Sequence, residues 1–343
     1  MNGYERTMAA LGGERPDTVP VMLHNFMMAA REAGVSMQQF RRDPAAIARS
    51  FIQAVETYGY DGIIVDVNTV TLAGAAGVPI DVPADEPART AGSLLSDLRQ
   101  VDDLEPVNIS TDEGVQAWLE SVRLLRAHFG NEILIRGNCD QCPFTLASML
   151  RGSEAWLMEL LDPDQRERVE KLLRHCTEIT KQFIRLMSST GAHMTSNGDS
   201  FAGPELISPQ LYREFALPYE KQVTGLAHQL NLPYILHICG NTAPILRDML
   251  SSGSDGLEID YKTDVHHAHS LMKDKVTFVG NIDPSGVLAM GTPALVEEAT
   301  RKLLDVFADT PRFVLNAGCA IPPVTPPENL RTMIRTARRF PLQ

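Results

Sequence analysis

"PYILHICGNT", residues 233–242, is an apolar run that ends in a histidine and a cysteine two positions apart. On an extended strand alternate side chains point the same way, so His237 and Cys239 share one face. Gly240 follows at once and permits a sharp turn just beyond them. The segment therefore reads as a strand whose far end presents two metal-capable side chains side by side.

Seven further segments of the same kind punctuate the chain: "VPVMLH" (19–24), "GIIVDV" (62–67), "EILIRGN" (132–138), "AHMTSNGD" (192–199), "GLEID" (256–260), "VTFVGN" (276–281) and "RFVLNAG" (312–318). Helical patterns lie between them, among them residues 43–59, 164–191, 208–231, 242–253 and 292–307. Asp43, Ser208 and Thr292 each stand directly before a proline, the N-cap and first-turn pairing that starts a helix. Eight strands alternating with helices predict a parallel α/β architecture, and a closed (β/α)8 TIM barrel fits the count. An open doubly wound sheet is the competing topology, but no GxGxxG follows the first strand. A helical segment precedes that strand. The 343 residues exceed the roughly 250 of a typical barrel, and residues 68–131 hold the surplus. They include the Gly/Ala/Pro-rich "AGAAGVPIDVPADEPA" and then a helix, an insertion after the second strand that reads as a hairpin or flap near the site. No repeat, low-complexity tail or linker divides the chain, so residues 1–343 are expected to form one domain.

A formal charge of −12 argues against a nucleic-acid or anionic-membrane surface, both of which need clustered lysine and arginine. No stretch reaches the roughly 20 apolar residues of a membrane span, and the first residues lack a signal-peptide pattern. A cytoplasmic chain is the expectation. Its five cysteines, an odd number in a large chain, are expected to be reduced, either buried or metal-bound.

In such a barrel, function collects at the C-terminal strand ends. Here these carry His24-Asn25, Asp66-Asn68, Asn138-Cys139-Asp140, Asn197-Asp199, His237-Cys239, Glu258-Asp260, Asn281-Asp283 and Asn316-Cys319. Asn, Asp and Gly close strands for their own turn-forming reasons. His and Cys do not. Cys319 follows a glycine and precedes the proline-stiffened "AIPPVTPPENL" (320–330). With His237 and Cys239 on the fifth strand and Cys319 after the eighth, the three can converge at the barrel mouth. Two thiolates and one imidazole suit zinc, and three protein ligands with an open fourth position mark a catalytic site. Any one of these thiols alone reads more simply as a buried structural cysteine. Cys139 and Cys142 form a C-x-x-C, either a redox pair, half of a structural zinc site, or two thiols flanking a pocket. The "DVHHAHS" cluster (264–270) reads as part of a surface helix.

Together, "ERTMAALGGERPDTVPV" (5–21), "GDSFAGPELISPQLYREFALPYEKQV" (198–223), "HICGNT" (237–242), "GNIDP" (280–284) and "GCAIPPVTPPENL" (318–330) resemble the uroporphyrinogen decarboxylase-like proteins. Within them, the likeness is to the zinc-dependent corrinoid methyltransferase branch that includes the methylcobamide:coenzyme M methyltransferases. This resemblance spans essentially the whole chain. It implies a (β/α)8 barrel, a zinc site of His237, Cys239 and Cys319, and a methyl group carried on the corrinoid of a separate protein. The acceptor is then a thiol or tetrahydrofolate held as a nucleophile on zinc; the reverse direction demethylates an ether or amine onto cob(I)alamin. Water or a nearby carboxylate, Glu258 or Asp199, is expected to fill the fourth zinc position in the absence of substrate. His24, Asn25, Asn138 and Asn197 are expected along the approach, with Asn197, Asp199 and Asn281 available to a pterin ring. Oligomeric state is left open, a homodimer included.

The decarboxylases resemble one another in an arginine-bearing segment after the first strand. The matching place here, "LHNFMMAAREAG" (23–34), holds only Arg31. A tetrapyrrole bearing eight carboxylates needs several cationic partners, so decarboxylation is disfavoured. A non-catalytic binding protein is the remaining alternative.

Overall fold

The computed structural model describes residues 1–84 and 86–342. Eight parallel strands run in chain order around one sheet: β1 (Met22–Leu23), β2 (Gly62–Val65), β3 (Leu134–Gln141), β4 (Met194–Gly198), β5 (Tyr234–Ile238), β6 (Gly256–Ile259), β7 (Thr277–Ile282) and β8 (Phe313–Ala317). A parallel bridge between Val21 and Leu315 brings the first strand to the last and closes the barrel. Leu315 N donates to Pro20 O (2.9 Å) beside it.

Alternation along the strands divides the barrel interior into layers. Met22, Ile64, Leu134, Met194, Ile235, Val279 and Val314 form an apolar lower layer. The N-terminal helix α1 (Gly3–Gly12) plugs the bottom by adding Ala10 and Leu11 to that cluster. Two residues further along five of the strands stand His24, Asp66, Arg136, His237 and Asn316, so the next layer is polar. The apolar floor and the polar mouth thus follow from one period-2 pattern. Asn281 departs from it: Gly280 has φ 139°, a conformation open to glycine, and the Asn281 amide turns to donate to Asp260 O (3.2 Å).

The segment after β2 contains a short helix (Thr71–Ala75), an antiparallel pair of Ile80–Asp81 with Arg89–Thr90, and a long helix (Glu113–Phe129). Trp118 is fully buried and ties that long helix to the barrel through Nε1 to Val65 O (3.0 Å). Arg41 reaches the hairpin, donating to Pro83 O (2.5 Å) and to Glu86 O. The continuous helix expected over 208–231 is in three pieces. Pro218 supplies no N–H, and the turn before it widens to π-helical pairing over Tyr212–Ala216. The helix expected over 242–253 contracts to Leu246–Leu250. No helix among the described residues is long and apolar enough to cross a membrane.

Asp61 staples both ends of the chain to the barrel bottom. It is 2% exposed, accepts from Val21 N (2.8 Å) and Arg6 (3.0 Å), and pairs with Arg338 of the C-terminal helix (2.8 Å). Replacing it by alanine removes one ion-pair partner from each of two guanidinium groups and strands a buried N–H. Asp61→Ala is expected to lower the unfolding free energy by about 3 kcal/mol in a denaturant titration, and a loss below about 1 kcal/mol would refute this role.

Candidate metal centre

His237, Cys239 and Cys319 meet at the mouth. One donor atom from each lies within 4.8 Å of the others, and this is the one such cluster found among the described residues. His237 Nε2 is 3.1 Å from Cys239 Sγ, which is 3.9 Å from Cys319 Sγ. Gly240 at φ 86° turns the chain immediately after the strand. His237 Nδ1 lies 3.0 Å from the Glu258 backbone oxygen, which accepts its proton and leaves Nε2 facing the thiols. Ser200 Oγ donates to Cys239 Sγ at 3.1 Å.

The electrostatics sharpen this arrangement. The S–H of Cys319 donates to Cys239 and, against the opposing effect of burial, combines with His237 to bring the Cys239 thiol down to about 3. Donating that proton, together with burial, pushes Cys319 well above the ordinary thiol range. Burial opposes charge on His237, but the Cys239 thiolate and Glu258 outweigh it and raise the imidazole to about 10. Two sulfurs and one imidazole nitrogen, with the tautomer set by a carbonyl, fit a soft tetrahedral cation such as zinc. Three protein donors leave one coordination position over.

Neither carboxylate expected as a fourth ligand belongs to the cluster. Glu258 directs Oε2 to Arg136 (2.5 Å) and accepts from Asn316 Nδ2 on Oε1 (3.2 Å). Burial works against its ionisation, yet Arg136, His237 and His24 hold it below the ordinary glutamate value. Asp199 is fully buried, and its Oδ1 accepts from the backbone N–H (2.8 Å) and hydroxyl (2.7 Å) of Thr145.

A cavity of about 200 Å³ opens over the cluster. His24, Asn138 and Asn197 line it as expected from the strand ends, while Asn25, Asp199 and Asn281 do not. Asn25 is fully buried at the start of helix Phe26–Glu32. Asp199 serves from behind: its N–H donates to His237 O (2.8 Å), which sets the turn carrying Ser200. Asn281 lines a different, outer cavity with Tyr261 and His266. Cys139 and Cys142 are wholly buried and outside the lining, against Thr195 Oγ1 (3.1 Å) and Tyr234 OH (3.5 Å). Burial raises the Cys139 thiol to about 12 and the Cys142 thiol well above the ordinary thiol range, so neither has the low pKa of a redox thiol.

Sequence reasoning passed over Ser200, Arg136 and Arg41 as site residues. Arg136 carried a signal: a cation directly after the apolar strand run "ILI", on the inward face of the barrel, needs a partner there. Ser200 and Arg41 carried none.

The model of the family described as uroporphyrinogen decarboxylase (URO-D) matches residues 2–340. The methylcobamide:CoM methyltransferase MtbA of Methanosarcina acetivorans is 32% identical over 279 residues, covering 78% of this chain and 80% of that protein. A uroporphyrinogen decarboxylase of Parasynechococcus marenigrum is 28% identical over 348 residues, covering 96% and 95%. In three dimensions, a methyltransferase from Methanosarcina mazei superposes with a TM-score of 0.87 at 24% identity over 98% of each chain, a likeness of fold. With a closed barrel, a mouth-facing cluster and a family match over nearly its full length, the chain belongs to the uroporphyrinogen decarboxylase (URO-D) family.

Proposed function

We propose that this chain is a zinc-dependent methyltransferase that moves a methyl group between the corrinoid of a separate protein and a small thiol. The observation that carries the reading is the His237–Cys239–Cys319 cluster, with donor atoms inside 4.8 Å at the base of an accessible cavity. The kinship with a protein named methylcobamide:CoM methyltransferase supports the same chemistry. Zinc bound there supplies the charge that keeps a coordinated thiol deprotonated at neutral pH.

The protein's own groups do the rest. His237, Cys239 and Cys319 hold the ion, and the Glu258 carbonyl keeps the imidazole in the ligating tautomer. Ser200 donates to the Cys239 sulfur and draws charge away from it. Arg136 holds the Glu258 carboxylate, which leaves the fourth position to the substrate. Phe26, Met27 and Met37 give the cavity apolar walls that exclude water from the sulfur. In the direction of thiol methylation, the S–C bond forms as the Co–C bond breaks, and its electron pair stays on cobalt.

A decarboxylase reading finds little support in the same cavity. Arg31 is outside the cavity lining and donates to Pro323 O (2.6 Å), and Arg136 is spent on Glu258.

The direct test incubates the zinc-loaded chain with methylcobalamin and a thiol and follows the cobalamin spectrum. Zinc-dependent demethylation of the cobalamin with stoichiometric S-methylation is expected. Absence of transfer with thiols, tetrahydrofolate and demethylation substrates alike, or metal-independent conversion of uroporphyrinogen, would overturn the proposal. Cys319→Ala should bring bound zinc from about one equivalent to near none by elemental analysis, and unchanged metal content would remove Cys319 from the ligand set.

The proton inventory gives a further expectation. His237, raised to about 10, and Cys319, raised well above the thiol range, both hold protons at neutral pH, whereas Cys239 does not. Loading the ion must displace both, so apparent zinc affinity should weaken about 100-fold for each pH unit lowered near neutrality. Calorimetry in buffers of different ionisation enthalpy should report about two protons released per zinc, and a value near zero would contradict the assignment.

A further inference from the structure

Among the described residues, Asp140 is the one cavity-lining carboxyl with an unmatched oxygen. It sits near the end of β3 at φ 57°, where the pairing of β3 with β4 shifts register between Asn138 and Gln141. Such an irregularity re-aims a side chain. Asp140 is 2% exposed; Oδ2 accepts from Leu72 N (2.8 Å), while Oδ1 is buried and meets no donor. Asp66 lines the same wall, its Oδ2 2.8 Å from His24 Nε2 and its Oδ1 accepting from Val67 N (2.8 Å).

The cations around the cavity have defined duties. Arg136 pairs with Glu258, and Arg41 donates to the Pro83 and Glu86 carbonyls. Much of the remaining lining is apolar: Phe26, Met27, Met37, Pro87 and Ala88. β3 and β5 are two strands apart, roughly 10 Å around the barrel. A molecule touching both the cluster and Asp140 therefore has a short body between its two ends.

We propose that the small-molecule thiol of this enzyme ends in a protonated amine, carried on a short apolar body, whose N–H groups donate to Asp140 Oδ1. This rests on the thiol methyltransferase reading above. A buried oxygen without a donor is costly, and a ligand N–H removes that cost. Burial, with the neighbouring Asp66 adding to it, raises the Asp140 carboxyl to about 8; a cationic end beside it favours the ionised form, whereas an anionic end adds a further like charge beside Asp66. The sulfur reaches the cluster, the chain lies along the apolar wall, and the amine end decides selectivity.

The full chain loaded with Co2+, whose visible absorption reports ligands entering the site, is titrated with three thiols differing only at one end: 3-aminopropanethiol, propanethiol and 3-mercaptopropanesulfonate. The aminothiol is expected to bind about tenfold tighter than propanethiol, with the sulfonate weakest. In Asp140→Asn and Asp140→Ala the aminothiol advantage should shrink to within about twofold, while propanethiol binding moves less than about threefold. Propanethiol binding also reports that each variant keeps an intact site. Tightest binding of the sulfonate, or an aminothiol advantage that survives in both variants, would overturn the proposal. A spectrum that responds to none of the thiols would remove the thiol reading itself, and this proposal with it.

Discussion

Arg136 and Glu258 face one another inside the barrel, 2.5 Å apart and each 2% exposed. Two charges so far from water persist only as a pair, and removing either would leave the other uncompensated in a low-dielectric interior. The pair joins β3 to β6 across the lumen. Glu258 also accepts from Asn316 on β8, and its backbone oxygen fixes the His237 ring on β5. Asn316 in turn accepts from His24 N at the end of β1 (3.3 Å). One ion pair thereby organises the polar layer above the apolar floor, and the cluster stands on that layer.

A second buried network supports the cluster from outside the strands. Asp199 and Glu220 are both fully buried, and burial raises Asp199 to about 6 and Glu220 well above the ordinary carboxyl range. Tyr212 donates to Glu220 (2.6 Å), and Thr145 donates to Asp199. These bonds hold the turn in which Asp199 N meets His237 O and Ser200 meets Cys239. His237 and Cys239 are thus each oriented by a group outside the cluster, and such outer groups set ligand direction and charge in metal sites generally.

The eight strands were legible because each is a short apolar run followed by turn residues and a helix, and their order needed no tertiary information. His237, Cys239 and Cys319 were legible because histidine and cysteine at strand ends have no turn-forming reason to be there. Asn25, Asp199 and Asn281 share the strand-end position yet serve structural ends, a burial at a helix start, a carboxylate tied to Thr145 and an amide turned toward Asp260. Strand-end asparagine and aspartate look alike in sequence whichever way they point.

From the sequence alone came the parallel α/β order, the barrel class, the three sulfur and nitrogen donors and the family likeness, because these depend on period-2 patterning, local turn chemistry and motif spacing. Only the tertiary structure decided that Glu258 belongs to Arg136, that Ser200 reaches Cys239, that Asp140 accepts from Leu72 and leaves its other oxygen without a donor, and that Arg41 grips the hairpin. Those contacts join residues between 39 and 122 positions apart in the chain. Barrel closure and strand register bring them together, and neither is written in the neighbourhood of any one residue.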